Sequence, residues 1–352
     1  MPVVERQRRA AQASDVPLAE LEQALDGSGL DRASADAFIE NALGVYALPY
    51  SILPSVLVSG SAVSIPLVTD SADVGRLAAA ASIVDRAGGL VADATAAEMI
   101  AQVQLVEVAD VPAAEGAIAA ARAELLGVAD DVLGPLRARG GGARDLEVRV
   151  LGGPEDAMLV VHVIIDCVDA MGANLVNKAA EALGAPLARL AGARLGLRIL
   201  SNLCDRRLAR ATCRVPVDHV GDIARRLVAH TELARLDPHH AATFNKAVMD
   251  GVDAVVVATG NDWRAVHAGA HAYATRSGRY GPLATFELEA DTLVGRLELP
   301  LALGTVGGTL RAHRLARMSL RLMGSPGARE LAKATACAGL LSAVAFGLPR
   351  EL

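Results

Sequence analysis

Aromatic residues are almost missing from this chain: Phe, Tyr and Trp make up 3% of its 352 residues, and Trp263 is the only tryptophan. A core must therefore be assembled from Ala, Val, Leu and Ile, and a hydrophobic content of 52% is enough for a large one. No apolar run reaches the roughly 18 residues that a membrane-spanning helix needs. The longest candidate, Met158 to Val168, is interrupted by His162 and Asp166. Met1 to Ala11 is charged and has no apolar segment of the secretory kind, so a cytoplasmic protein that binds no membrane is expected. A basic stripe is missing too. The net charge is −6 with both signs interspersed, which argues against nucleic acid as a partner. Cys167, Cys204, Cys213 and Cys337 form no C-x-x-C pair and have no matching His pattern, so reduced, mostly buried thiols are expected. Lysine is scarce: Lys178, Lys246 and Lys333 stand in a chain whose other basic residues, histidine aside, are arginine. Because the two side chains differ in pKa and shape, a lysine kept at a special place carries weight.

What the chain does have is a regular succession of apolar periods. Its length predicts two domains, or one large domain with an insertion. Helical spacing marks Val16–Leu25 and Ala33–Leu43, with Gly44 placed to cap the second. Strands are predicted at Ser55–Val58 and Val63–Val68, then an Ala-rich helix at Val74–Ala87. The middle third reads as strand Ala101–Val108, helix Ala113–Leu136, and strands Leu146–Leu151 and Met158–Asp166 joined by the turn Gly152-Gly-Pro-Glu155. Helix Ala170–Leu190 and strand Arg207–Val215 follow. This β-α-β-β-α-β order predicts a ferredoxin-like domain over 101–215, inserted between the segments 1–100 and 216–352 of a larger mixed helix and sheet domain. The fold class is α+β. Further on come helices Val220–Leu236 and His240–Asp250, an apolar strand Ala254–Ala258, and a helix Asp262–Ser277. A hairpin of Ala284–Leu288 with Leu293–Leu299, a loop Gly304–Gly308, and helices Leu315–Leu322 and Ala328–Phe346 complete the reading.

Three stretches could carry chemistry. Asp169-Ala-Met-Gly-Ala-Asn174 follows a strand and opens a helix, where small residues let backbone approach a ligand and helix N–H groups can meet phosphate. It lacks the G-x-G-x-x-G spacing, so an ordinary strand-to-helix turn fits as well. Lys246 and Asp262 lie sixteen positions apart on or beside two successive helices. A lysine near a carboxylate can stabilise an oxyanion and relay a proton, or form a plain surface ion pair. Asp70 and Asp73 flank Ser71 ahead of a helix, where capping is an equal reading. His267 and His271 have the i, i+4 spacing of two metal ligands, yet no third ligand is evident and no metal is expected. His239 and His240 precede Lys246 by one to two turns and are weaker candidates for substrate binding or proton transfer.

Taken in order, these motifs resemble 3-hydroxy-3-methylglutaryl-CoA reductase, most closely its soluble bacterial class. The matched pieces are Glu40-Asn-Ala-Leu-Gly44, Met99 to Gln104, Gly140 to Asp145, Asp169 to Asn174, Arg198 to Arg210, Asn245-Lys246, Val256 to Tyr273 and Gly304 to Gly308. They span nearly the whole chain. The resemblance implies a homodimer, or a higher oligomer built from dimers, with sites at the subunit interface. It implies a small-molecule acyl-CoA or related carbonyl substrate, reduced with NADH or NADPH. It places Asp169, Met171, Gly172, Ala173 and Asn174 against the dinucleotide, with Asn202 alongside. Lys246 would stabilise the oxyanion, Asp262 would tune it, and Thr243 would contact substrate. Asp130 or Asp131 could hold a ribose hydroxyl, and Arg137 or Arg139 a phosphate, so the choice between NAD and NADP stays open.

Departures mark this chain as divergent. The family's catalytic Glu falls near Ser71, with Asp70 next to it as a shorter carboxylate. Its arginine for the substrate carboxylate is His240 here, and an Asn on the lysine helix is Asp250. The sequence ends before the C-terminal flap with its thiolate-protonating histidine. The expectation is a divergent NAD(P)H-dependent reductase. Two rivals are a relative doing non-redox acid–base or cyclisation chemistry in specialised metabolism, and a non-catalytic binding homologue.

Overall fold

Among the described residues ten strands number along the chain: β1 Tyr50–Val58, β2 Ser61–Val68, β3 Leu90–Ala94, β4 Glu98–Val106, β5 Gly142–Leu151, β6 Met158–Asp166, β7 Arg194–Leu200, β8 Leu208–Pro216, β9 Ala284–Glu289 and β10 Thr292–Pro300. They come from a computed structural model that describes residues 1–71, 73–153, 156–308, 310 and 313–349, with backbone alone at 27 and 28. The tip of the predicted Gly152–Glu155 turn, at Pro154 and Glu155, lies outside the described residues, as does Ala72. The chain forms two compact units: Met1–Ala94 with Leu208–Leu352, and Thr95–Arg207.

The larger unit holds a six-stranded sheet in the order β2-β1-β3-β8-β10-β9. Strand β8 alternates cleanly, burying Ala209, Ala211, Cys213 and Val215 on one face. Gly295 on β10 is needed because a Cβ there would meet the Phe286 ring and Cys213. Two long helices lie over this core, Pro238–Ala258 and Ala328–Gly347. The second is long and apolar enough to cross a membrane by length and composition, but it is a core helix with 78% of its apolar window buried. The two helices approach closely through small residues: a Cβ on Gly251 would run into the Ala338 carbonyl, and one on Gly339 would meet Val252. Helix propensity alone favours Gly251→Ala by about 1 kcal/mol. Overpacking against backbone should reverse that sign, costing about 1–3 kcal/mol. Urea unfolding of G251A is expected to show a lower midpoint with an unchanged slope; a raised midpoint would contradict the close packing.

A smaller cluster sits under the N-terminal segment, where Ala10, Ala11, Val16, Leu21 and Ala24 pack on Leu315, Met318 and Leu322. Its first helix, Val3–Ala13, was not expected from the charged sequence.

The smaller unit is a four-stranded antiparallel sheet in the order β5-β6-β4-β7, with helices between β4 and β5 and between β6 and β7. This is the split βαβ arrangement the sequence predicts. Its ends differ from the expected ones. The unit spans 95–207, not 101–215, because Leu208–Pro216 pairs with β3 and β10 in the other sheet. The fourth strand is instead β7, whose Leu197 and Ile199 are exposed and whose burial pattern gives little signal. The predicted long helix is broken at Ala121 into Val111–Ala120 and Arg122–Val132.

Candidate active site

In the larger unit, Asp237 caps the helix Pro238–Ala258 by accepting from His239 N at 3.0 Å, with Pro238 at the first turn. The helix then runs unbroken for 21 residues. The predicted strand Ala254–Ala258 is therefore its last turn, an apolar run buried as helix rather than as sheet. Thr243, Lys246, Asp250 and Asp253 recur at steps of three and four residues, so they share one face. Lys246 Nζ donates to Asp250 Oδ2 at 2.6 Å, with side-chain exposures of 69% and 32%. The carboxylate is the more buried partner of the pair. Burial raises the Asp250 carboxyl above its usual range, with Asp73 and Asp70 adding to the rise and Lys246 opposing it.

Across from this face, Ser71 and Asp73 meet. Ser71 N donates to Thr69 Oγ1 at 3.0 Å, and Ser71 Oγ donates to Asp73 Oδ2 at 3.2 Å. They share with Asp250 and Arg76 a cavity of about 50 Å³. Arg76 donates to the carbonyls of Ala345 at 2.6 Å and Leu348 at 3.0 Å, and its charge lies 3.6 Å from Asp73. Sequence reasoning had not singled out Arg76.

Asp262 does not share this cluster of contacts. It caps its own helix, Trp263–Tyr273, accepting from Arg264 N at 3.1 Å and Ala265 N at 3.2 Å. The turn before it follows a helix, not a strand. Asn261 joins that turn to the Gly304 loop: it donates to Gly304 O at 3.1 Å and accepts from Gly304 N at 2.7 Å. Two motifs read separately in the sequence thus meet through one amide.

His240 Nε2 lies 3.1 Å from His230 Nδ1, with the rings stacked 5.1 Å apart. His230 also packs on Phe346, and burial holds its pKa below the ordinary value. Thr243 Oγ1 donates to His239 O at 3.3 Å. His267 is paired with Asp253 at 3.0 Å, and His271 with Tyr280 at 2.7 Å. Among the described residues, no group of three or more His, Cys, Asp or Glu is placed to hold a metal ion. The four cysteines are buried free thiols. Glu40–Gly44 does not cap a helix: the helix Arg32–Phe38 stops short of it.

In the smaller unit, β6 leads through Asp169–Met171 to Gly172, which takes φ +105° and begins the helix Ala173–Ala191. A Cβ on Gly172 would be driven into the Cys167 sulfur, so the position admits glycine alone. No side chain of the N-cap residue bonds the first N–H groups of this 19-residue helix, and Asn174 in its first turn is exposed. Buried Arg207 holds the turn, donating to Ala170 O at 3.2 Å and Met171 O at 3.1 Å. Asn202 is exposed in the loop after β7. Asp130 is occupied structurally, accepting from Ala143 N at 2.8 Å.

The comparisons agree with this layout. The family model described as hydroxymethylglutaryl-coenzyme A reductase matches residues 3–346. The chain is 36% identical over 344 residues to 3-hydroxy-3-methylglutaryl-coenzyme A reductase of Archaeoglobus fulgidus, covering 97% of this chain and 78% of that one. It superposes with a TM-score of 0.94 on the 3-hydroxy-3-methylglutaryl-coenzyme A reductase of Streptococcus pneumoniae, at 38% identity and covering 99% of this chain and 96% of the other. A structure of that class II enzyme bound to NADPH in open conformations matches with the same score and identity, covering 99% and 86%. A match running through nearly the whole chain, with both units present, places this protein in the hydroxymethylglutaryl-coenzyme A reductase family.

Proposed function

We propose that this chain is an NAD(P)H-dependent oxidoreductase that reduces an acyl-CoA thioester or related carbonyl, with Lys246 stabilising the developing oxyanion. Family membership over residues 3–346 is the observation that carries this reading. The dinucleotide belongs to the unit Thr95–Arg207. The turn there fits a pyrophosphate: its glycine is sterically enforced, and an uncapped helix N-terminus follows. Gly172, Ala173 and Asn174 would hold it, with Asp169, Met171 and Asn202 at the rim. NADH or NADPH, when bound, supplies hydride.

The chain's own residues do the rest. Lys246 presents a point charge to the carbonyl oxygen and donates a proton to it. Thr243 lies one turn before it on the same face, and Ser71, Asp70 and His240 bound the acyl end. Asp262 orients the Thr259–Trp263 turn. A homodimer completes the protein. Its support is the segment around Glu40–Gly44, where Leu43 is 98% exposed and Tyr46 89% exposed, with Ile39 and Val45 also open to solvent. Large apolar side chains clustered in the open mark a partner surface.

Nicotinamide fluorescence tests the central part. Both cofactors should be titrated against the wild type and against Asn174→Trp. Saturable binding, lost by at least tenfold in the variant, is expected. Binding unaffected by the indole would move the site elsewhere, and no binding at millimolar cofactor would end the reductase reading. One observation favours a second reading: Lys246 is already paired with a carboxylate, as an acid–base catalyst without redox chemistry could be. Turnover without nicotinamide would identify that case.

A further inference from the structure

The position that the family resemblance gives to Asn is Asp250 here, and its carboxylate lies directly on the lysine, 2.6 Å from Nζ. The other carboxylates expected at the site are engaged differently. Asp262 caps its own helix and pairs with Arg264, and the family's catalytic Glu falls near Ser71, with the exposed Asp70 next to it as a shorter carboxylate. We propose that Asp250 is the catalytic acid of this chain: a protonated carboxyl that returns a proton to Lys246 in each turnover. The proposal rests on the reductase reading above and deepens it by relocating the missing acid onto the lysine's own helix.

The step balances. Hydride from the reduced nicotinamide forms the new C–H bond, and the carbonyl π pair moves to oxygen. Lys246 ammonium gives that oxygen a proton and becomes an amine. The Asp250 carboxyl O–H then protonates the amine, and water reprotonates the carboxylate. One hydride and one proton are consumed for each carbonyl reduced.

The surroundings suit a carboxyl that keeps its proton. Asp250 faces the small cavity between its helix, the Thr69–Asp73 segment and the helix Val74–Arg86. Lys246 and Asp253 are the charged neighbours on its own helix, and Asp70, Asp73 and Arg76 are those across from it. Arg76 is tied to Asp73 and to the carbonyls of Ala345 and Leu348, so it does not neutralise Asp250. The final helix contributes only Ser342, Ala345 and Phe346 to this cavity. Asp250 is the most buried of the three carboxylates Asp70, Asp73 and Asp250, so burial and the two like charges favour its protonated form, against the opposing pull of Lys246. A general acid works best when its proton is present at the operating pH.

The scarcity of lysine makes this directly observable. Reductive methylation with ¹³C-formaldehyde labels Lys178, Lys246 and Lys333 and the N-terminus, and Lys246→Arg assigns the signal of interest. The Lys246 methyl resonance is expected to show an inflection above the ordinary carboxylate value of about 4. The inflection should vanish in Asp250→Asn and persist in Asp250→Glu. In steady state, wild-type kcat should fall as pH rises through that inflection, because the acid form is the working one. D250N should lose this limb and at least tenfold of kcat, with cofactor binding unchanged, and D250E should retain the limb. An inflection at or below about 4, or a D250N profile matching wild type, overturns the proposal. A wild type that oxidises no nicotinamide overturns the reductase reading instead, while the resonance still decides whether Asp250 holds a proton beside Lys246.

Discussion

Lys246→Met is expected to lower kcat by about 10²–10³-fold, the size of effect seen when one preorganised oxyanion donor is removed. The substitution keeps the unbranched stem and removes the charge, and an exposed position tolerates it without a cavity. Nicotinamide affinity should stay within about twofold, because the proposed cofactor turn belongs to the other unit. The ground state should be little affected as well, so KM moves far less than kcat. Lys246→Arg is the informative companion. It keeps a cation, but a planar fork replaces a compact ammonium, and guanidinium does not release protons near neutrality. If Lys246 is a proton donor, Arg should rescue little. If Lys246 only attracts the substrate, Arg should restore most activity and the loss in Met should appear in KM. A Met variant within threefold of wild type would remove Lys246 from the chemistry altogether.

The second large effect concerns assembly. Leu43→Asp combined with Tyr46→Asp should convert the protein to a monomer at micromolar concentration, with its far-UV circular dichroism unchanged. Both side chains lie in the segment 39–49, which has no helix or strand and makes little contact within its own chain. Each large apolar group buried at an interface contributes about 1.5–3 kcal/mol. A two-fold dimer uses the same patch twice, so two substitutions remove four contacts and insert four carboxylates. Analytical ultracentrifugation reads the outcome. A wild type that sediments as a monomer would contradict the dimer, and a double variant that stays dimeric would place the interface elsewhere.

Much of this architecture was legible in the sequence, for reasons that can be traced to particular segments. The β2 strand, the helix Val74–Arg86, the β9–β10 hairpin and the final helix have clean periods and clear punctuation, and all lie close to where those signals place them. The errors share a cause. Ala254–Ala258 is an apolar run whose five residues fit either period, and only its continuity with Pro238 shows it to be helix. That strand β8 joins the other sheet was not legible, because a strand's own pattern does not name its neighbours; β3 lies more than a hundred residues before it, and β10 follows only after four intervening helices. Strand β7 has Leu195, Leu197 and Ile199 at a period of two, but Leu197 and Ile199 are exposed and none of its residues is fully buried, so it lacks the buried apolar face by which a strand is read.

The candidate site was legible by residue type but not by partnership. Lys246 stood out through rarity, and Asp250 through its departure from the family pattern. That the two are bonded follows from i, i+4 spacing once the helix is known. Arg76 gave no signal, and Arg207 and Asn261 stand in matched motifs with no role assigned, because their work is to hold backbone carbonyls and loops, and no local pattern records which carbonyl a distant side chain will reach.

Transfer of label from cofactor to product tests the central claim most directly. The protein should be incubated with [4-²H]NADPH or [4-²H]NADH, one stereoisomer at a time, and acyl-CoA thioesters, and the acyl products examined by mass spectrometry. The account predicts deuterium at the former carbonyl carbon from one face of one cofactor, and its loss in Lys246→Met. Products formed without deuterium from any of the labelled cofactors, or turnover that continues when nicotinamide is withheld, would contradict it.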